Sequence, residues 1–462
     1  MGSSSEIRRN IAGQGVLGCN PTSEDMAAQH PTPPQTPQPL LFGELVMEIL
    51  SWIPAKPLTR LKLVCKSWNS IISNPHFVKL HLQRSPKNAN LLVMLREISP
   101  EGEVSVVLSS VESFIRNPSS TLTAQDGCHS LGRGWVLGSC NGLVCIWDGI
   151  EDYPNDFEFH LWNPLTGFSS VKSPRLHVNK YASFGFGYDE SSDGYKVAAV
   201  NLDINYTDNS WETTVEVYRF GSSSWRNIDS FPAFPLAIEE DGMYIGGTLN
   251  WLGLQNTQGG VYDWGAVTLD MLVIVSLELK SETYKQIQLP NGIDELPSHK
   301  PSLNVWGNCL YLSHDYKKTH FIVWQMKEFG DEISWTQMLK ISLQHINVEL
   351  LFPLFICENG DIFVLGASNG DISKIVLYDP RVNNVEHINI LDKNHFAITN
   401  DYVESLGLEN VTPMIAKIDQ KSAIELDCLN PMAWLQGMDS VVQESLDHLV
   451  VQVENIFVSY EK

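Results

Sequence analysis

Apolar residues follow two different periods along this chain. Between residues 41 and 82 they recur every three or four positions, the spacing that gathers them on one face of a helix. Leu41, Leu45, Ile49 and Ile53 form a first stripe, ended by Pro54, which cannot continue the backbone hydrogen-bond ladder. Leu58, Leu61, Val64, Cys65, Trp68, Ile71 and Ile72 predict a second helix. Asn74-Pro75 stops it and opens a third with Phe77, Leu80 and Leu82. From about residue 91 to 398 the period falls to two, and apolar runs alternate with Gly, Asn, Asp and Ser turns, as strands require. Near the C-terminus, Leu435, Met438, Val442, Leu446, Leu449, Val453, Ile456 and Tyr460 follow a heptad seam.

The strand region repeats itself. Blocks in which an apolar strand enters a turn are anchored at Trp162, Tyr218, Leu277, Trp324 and Tyr378, at intervals of 56, 59, 47 and 54 residues. A period near 50 in strand-rich sequence is that of kelch-like propeller blades. Five units are visible, and Leu91 to Leu108 supplies a hairpin for another. The expectation is a closed all-β propeller of six blades, with seven as the alternative, since closure removes exposed sheet edges. Trp162, Trp225, Trp251, Trp324 and Trp335 are expected to pack between neighbouring blades.

The helical stretch cannot stand alone. About 40 residues bury too little apolar surface without a metal, disulfides or a partner, and this stretch holds one cysteine and no set of metal ligands. Its charge is also distinctive. The whole chain is formally −23, yet residues 40–84 carry six bases (Lys56, Arg60, Lys62, Lys66, Lys79, Arg84) against Glu44 and Glu48. A basic island on an acidic protein suits an acidic protein partner. The alternative is a helical cap on the domain that follows, its lysines and arginines merely solvated.

The run from Leu41-Phe42-Gly43-Glu44-Leu45 to Ile53-Pro54, followed by Leu63-Val64-Cys65-Lys66-Ser67-Trp68, resembles an F-box. That is the module which docks onto a Skp-type adaptor in cullin-based ubiquitin ligases. The resemblance implies an adaptor surface drawn from Leu41, Phe42, Leu45, Ile49, Leu50, Ile53, Pro54, Leu58, Leu61, Val64, Cys65 and Trp68. Phe42 stands where the family usually has proline, which weakens the helix start that the adaptor grips. Further along, Gly138-Ser139-Cys140-Asn141-Gly142-Leu143, Leu161-Trp162-Asn163-Pro164, Phe184 to Asp189, Gly247 to Trp251 and Asp401-Tyr402-Val403-Glu404-Ser405-Leu406 resemble the F-box-associated domain of plant F-box proteins. The implied protein is α+β and multidomain: a three-helix F-box (39–84), a propeller (91–406) and an acidic tail with an amphipathic helix (407–462). Its implied role is that of a non-catalytic substrate receptor, whose partners are the adaptor, a cullin beyond it and a target protein. A scaffold or inhibitor working outside any ligase, and a propeller enzyme, are the rivals.

Composition narrows the rest. A net −23 and a pI near 4.9 argue against nucleic acid and anionic membrane surfaces, which repel an acidic protein. Runs such as Met271 to Val275 are far shorter than the roughly 18 residues of a membrane span. Scattered cysteines and the lack of a signal peptide point to a reducing compartment, cytoplasm or nucleus. Residues 1–38, polar and ending in a proline-rich run, read as disordered. Asp189-x-Ser191-x-Asp193-Gly194 resembles a calcium loop, but Val200 replaces the needed Glu, so a strand turn is expected. No hydrolase elbow, phosphate loop or metalloprotease motif occurs, and no cofactor is implied. The heptad seam at the C-terminus reads either as a helix docked on the propeller or as a dimerising coiled coil.

Overall fold

The computed structural model describes residues 41–85, 90–97, 104–110, 129–132, 134–150, 153–178, 181–236, 241–257, 259, 263–346, 348, 350–356, 363–369, 372–388 and 394–407. The expected N-terminal tail and C-terminal heptad helix lie outside these residues. The chain forms two compact units, residues 1–45 and 46–462.

Among the described residues, four helices rather than three precede the first strand: α1 (Leu41–Leu50), α2 (Ala55–Leu61), α3 (Lys66–Ile72) and α4 (Pro75–Arg84). The expected second helix is divided at 62–65. The Leu63 and Val64 N–H groups turn back to the Arg60 and Leu61 carbonyls at 3.0 and 3.2 Å, the tight closure that ends a helix. Cys65 is extended, and its Sγ accepts the Trp68 N–H at 3.5 Å, capping α3. Apolar spacing runs straight across this break, so periodicity alone joins the two segments. Likewise α1 stops at Leu50, and Ile53 sits in the turn before Pro54.

The described strands form six antiparallel sheets. Five are built from consecutive strands, beginning at Trp135–Cys140, Tyr181–Asp189, Phe234–Pro235, Ser302–Trp306 and Leu350–Ile356. The sixth joins the two ends of the array: Asn394–Tyr402 pairs with Asn90–Glu97, followed by Val104–Ser110 and His129–Gly132. The five repeat anchors each lie in the third strand of a different consecutive sheet, and the Leu91–Leu108 hairpin lies in the sixth. Seven sheets are not formed by these strands. The first strand of each sheet, or Met243–Ile245 in the third, touches the corresponding strand of the next, and Asn394–Tyr402 touches Trp135–Cys140, so the series closes.

Tryptophans occupy the seams between sheets. Trp162 packs with Leu92, Val104 and Val106 of the sixth sheet. Trp225 Nε1 donates to the Pro174 carbonyl, Trp251 Nε1 to Ser183 Oγ and Trp306 Nε1 to the Leu354 carbonyl, each across from one sheet to its neighbour. Trp324 and Trp335 pack in a core shared by the third and fourth sheets. Trp225, Trp251 and Trp306 thus pack their rings between blades while the one donor of each finds a partner.

Strand direction gives the unit two faces. The turns at 141–142 and 190–193, which join first to second strands, lie on the face that meets the helices: Lys79 Nζ bonds Asp193 Oδ1 at 2.9 Å. The connections at 206–209 and 317–319, which join second to third strands, lie at the other ends of those strands.

Candidate adaptor-docking surface

The helices fold around Leu50, Ala55, Leu58, Ile72 and Phe77, all buried, and the propeller's Leu406 completes that core. Local capping sets their angles. Pro54 adopts φ −53° and ψ 150° ahead of α2, and Asn74 Oδ1 accepts the His76 N–H at 2.8 Å before Pro75 opens α4. His81 is buried, with Nε2 2.8 Å from the Ile53 carbonyl. That contact requires Nε2 to carry the proton, because a carbonyl only accepts. Burial pushes the imidazole's pKa below its usual value, and the Ile53 bond offsets this only in part.

Such a core leaves a set of apolar side chains in solvent. Trp52 is 52 % exposed, Leu63 79 % and Val64 51 %, and Leu45 on α1 is 38 % exposed. Trp52 is held in place by Arg84, whose guanidinium lies 5.0 Å from the ring centroid and also bonds Glu48 Oε1 at 2.8 Å. Lys56, Arg60 and Lys66 are exposed on α2 and α3.

The residues expected from the family resemblance fall into distinct groups. Leu45, Pro54, Val64 and Cys65 are exposed, and Ile49, Ile53, Leu61 and Trp68 are half-buried. Leu50 and Leu58 are fully buried, so in this structure they hold the helices together and present nothing to a partner. Leu41 and Phe42 open α1, and their side chains lie outside the described residues. Trp52 and Leu63 were absent from the expected set. Both lie off the helical stripes, and only the turns at 51–53 and 62–65 turn them outward.

A second group of residues ties the helices to the propeller. Asn163 is buried, and its Nδ2 donates to the carbonyls of Ser405 and Gly407 at 2.9 and 2.6 Å. Its Oδ1 accepts the Leu165 N–H at 2.9 Å. These bonds hold the segment that places Leu406 and Leu165 against the helical core. Burial pushes the Glu404 carboxyl above its ordinary range, opposed by the charge and backbone N–H of Lys56 in the first turn of α2. Gly142 (φ +76°) lies so close that a Cβ would overlap Ser405, which is why a glycine follows Asn141 in that turn.

The loop resembling a calcium site is a turn. Burial opposes ionisation of Asp189, but bonds from Ser191, Lys196 and Ser192 outweigh it and hold the carboxyl well below its usual range. Its oxygens are taken by the protein itself.

Residues 41–80 match the family described as F-box domain, and residues 103–407 match the F-box associated beta propeller domain. An F-box/kelch-repeat protein of Arabidopsis thaliana is 29% identical over 313 residues, covering 64% of this chain and 78% of its own length. The F-box protein CPR1 of the same plant is 26% identical over 324 residues, covering 64% and 72%.

Proposed function

We propose that this chain, which belongs to the plant F-box proteins with an F-box-associated β-propeller domain, is the substrate receptor of a cullin-based (SCF-type) ubiquitin ligase. The helices would dock a Skp-type adaptor, and the propeller would hold a target protein. The reading is carried by one observation. Among the described residues, four of the eight exposed large apolar side chains (Leu45, Trp52, Leu63, Val64) fall within residues 45–64. The exposed lysines and arginine on α2 and α3 add the charge that would steer an acidic adaptor.

The chain itself would carry out no chemistry. Holding a target lysine beside a charged conjugating enzyme raises its effective concentration, and transfer follows from proximity. The working compartment would be cytoplasm or nucleus. Calorimetry of the full chain with a purified Skp-type adaptor tests the docking claim. Leu63→Asp, or Leu45→Ala with Ile49→Ala, should weaken binding sharply. Unchanged affinity in all of them would sink the F-box reading. A second reading, a scaffold outside any ligase, is favoured by Phe42 at the family's proline position. Co-purification of a cullin with the chain separates the two.

A further inference from the structure

On the face remote from the helices, the seam between the fourth and fifth sheets is left unfilled. Strand alternation turns Ser302, Asn304 and Trp306 of the first strand, and Tyr311, Ser313 and Asp315 of the second, toward the fifth sheet. At the end nearer the helices Trp306 and Tyr311 fill that seam, their rings 4.7 Å apart. At the other end stand Ser302 and Ser313, directly opposite each other and short where the packed end has rings. A cavity of about 180 Å³ lies there, walled by Phe321, Leu343, Leu351 and Phe352. Exposed His299 and Lys300 also line it, so it opens at the surface.

Its polar groups differ in what they have left to offer. Asp315 accepts the backbone N–H groups of His299 and Lys318 at 2.8 and 3.2 Å. Burial opposes its ionisation, but bonds from His299, Ser298 and Lys318 outweigh that and keep the carboxyl below its usual range. His314 Nε2 accepts the Trp324 indole N–H at 3.1 Å, on the opposite side of the sheet. Ser302 Oγ accepts from Asn304 at 3.4 Å. Ser313 is only 3 % exposed, and its hydroxyl makes no hydrogen bond among the described residues. A buried hydroxyl without a partner is unfavourable, and an apolar wall facing empty space forfeits dispersion contacts. An occupant with an apolar body and a polar tip relieves both. The carboxylate of Asp315 disfavours an anion in the same space. Small-molecule pockets run to roughly 300–1,000 Å³, so this one suits a single side chain. Leucine or phenylalanine would leave Ser313 unmet, whereas tyrosine joins an aromatic ring to a neutral hydroxyl.

We infer that this cavity is the anchor site for an unphosphorylated tyrosine of the target protein. The ring lies among Phe321, Leu343, Leu351 and Phe352, and its hydroxyl bonds Ser313. The inference rests on the receptor reading, and adaptor calorimetry on the same samples reports on that reading separately.

The test is selection of peptides from a random library on the full chain, followed by anisotropy with the best synthetic peptide. Selected peptides should share one tyrosine. Replacing it by phenylalanine should weaken binding roughly three- to tenfold, the effect of one hydrogen bond, and phosphotyrosine should weaken it further. Ser313→Ala should bind the tyrosine peptide as weakly as the native chain binds the phenylalanine one, and should no longer distinguish the two. Ser313→Val fills part of the cavity with a residue suited to strands, so its melting temperature should hold while binding falls roughly tenfold. Adaptor binding should be unchanged in both variants. Failure to select any peptide, selection without a shared tyrosine, equal affinity for the phenylalanine or phosphotyrosine peptide, or undiminished binding by both variants overturns the inference. So does displacement of the peptide by free p-cresol at concentrations equal to or below those of unlabelled peptide, because the ligand would then be a small phenol.

Discussion

Leu58 and Leu63 lie five positions apart, yet one is fully buried and the other 79 % exposed. Their alanine variants should therefore fail in different assays. Leu58→Ala leaves a cavity among Leu50, Ile72 and Phe77 and should cost about 2–5 kcal/mol of stability by chemical denaturation. Leu63→Ala should leave stability nearly unchanged and cost about 2 kcal/mol in adaptor affinity, if Leu63 is a central anchor of the docking surface. A stability loss at Leu63 without an affinity loss would reverse these assignments. His81 adds a pH dependence. Its folded pKa lies below the ordinary 6.5, so protonation favours the unfolded chain. The stability it contributes is complete above the unfolded-state value and is lost as pH falls through the folded one. Denaturation midpoints should drop between pH 7 and pH 5, and His81→Gln should flatten that slope. An identical slope in the variant would remove His81 as the cause.

At the scale of elements, the helices and the propeller share a core through Leu406 and Leu165, and Asn163 holds the segment that supplies it. Asn163→Ala removes a buried side chain that bonds two carbonyls and two N–H groups, leaving those groups without their partner. It should cost about 2 kcal/mol or more in denaturation experiments. The motifs around Asn163 and Glu404 are plain in the sequence, but their joint task is not, because Asn163 and Ser405, which bond each other, are 242 positions apart. The break between α2 and α3 was hidden for a different reason. Neither proline nor glycine marks residues 62–65, and the apolar spacing continues through them. A stripe of helical spacing selects the residues that pack, whereas the exposed Trp52 and Leu63 sit in the turns.

For the whole molecule, closure depends on Asn394–Tyr402 lying beside Asn90–Glu97. A chain ending at residue 393 should lose its cooperative thermal transition, because Asn90–Glu97 loses its pairing partner and becomes an open edge while the Leu406 contact is lost with it. A chain ending at residue 429 keeps that strand and tests the heptad seam instead. Its melting temperature should fall if the tail docks on the propeller, and its sedimentation should shift if the tail dimerises. A change in neither across a salt series would leave the tail solvated.

The amino-acid sequence by itself determined the change from helix to strand near residue 90, the five repeat anchors and the hairpin that begins the sixth sheet. Each of these rests on local periodicity, and a period survives in one dimension. It also placed the tryptophans in the seams, since a large apolar ring with one donor has few other homes. The tertiary structure alone decided which leucines of the helical stretch are core and which face solvent, and that Asn163, Glu404 and Leu406 bind the helices to the propeller. Those outcomes depend on burial and on contacts between residues distant in sequence, which no local spacing encodes.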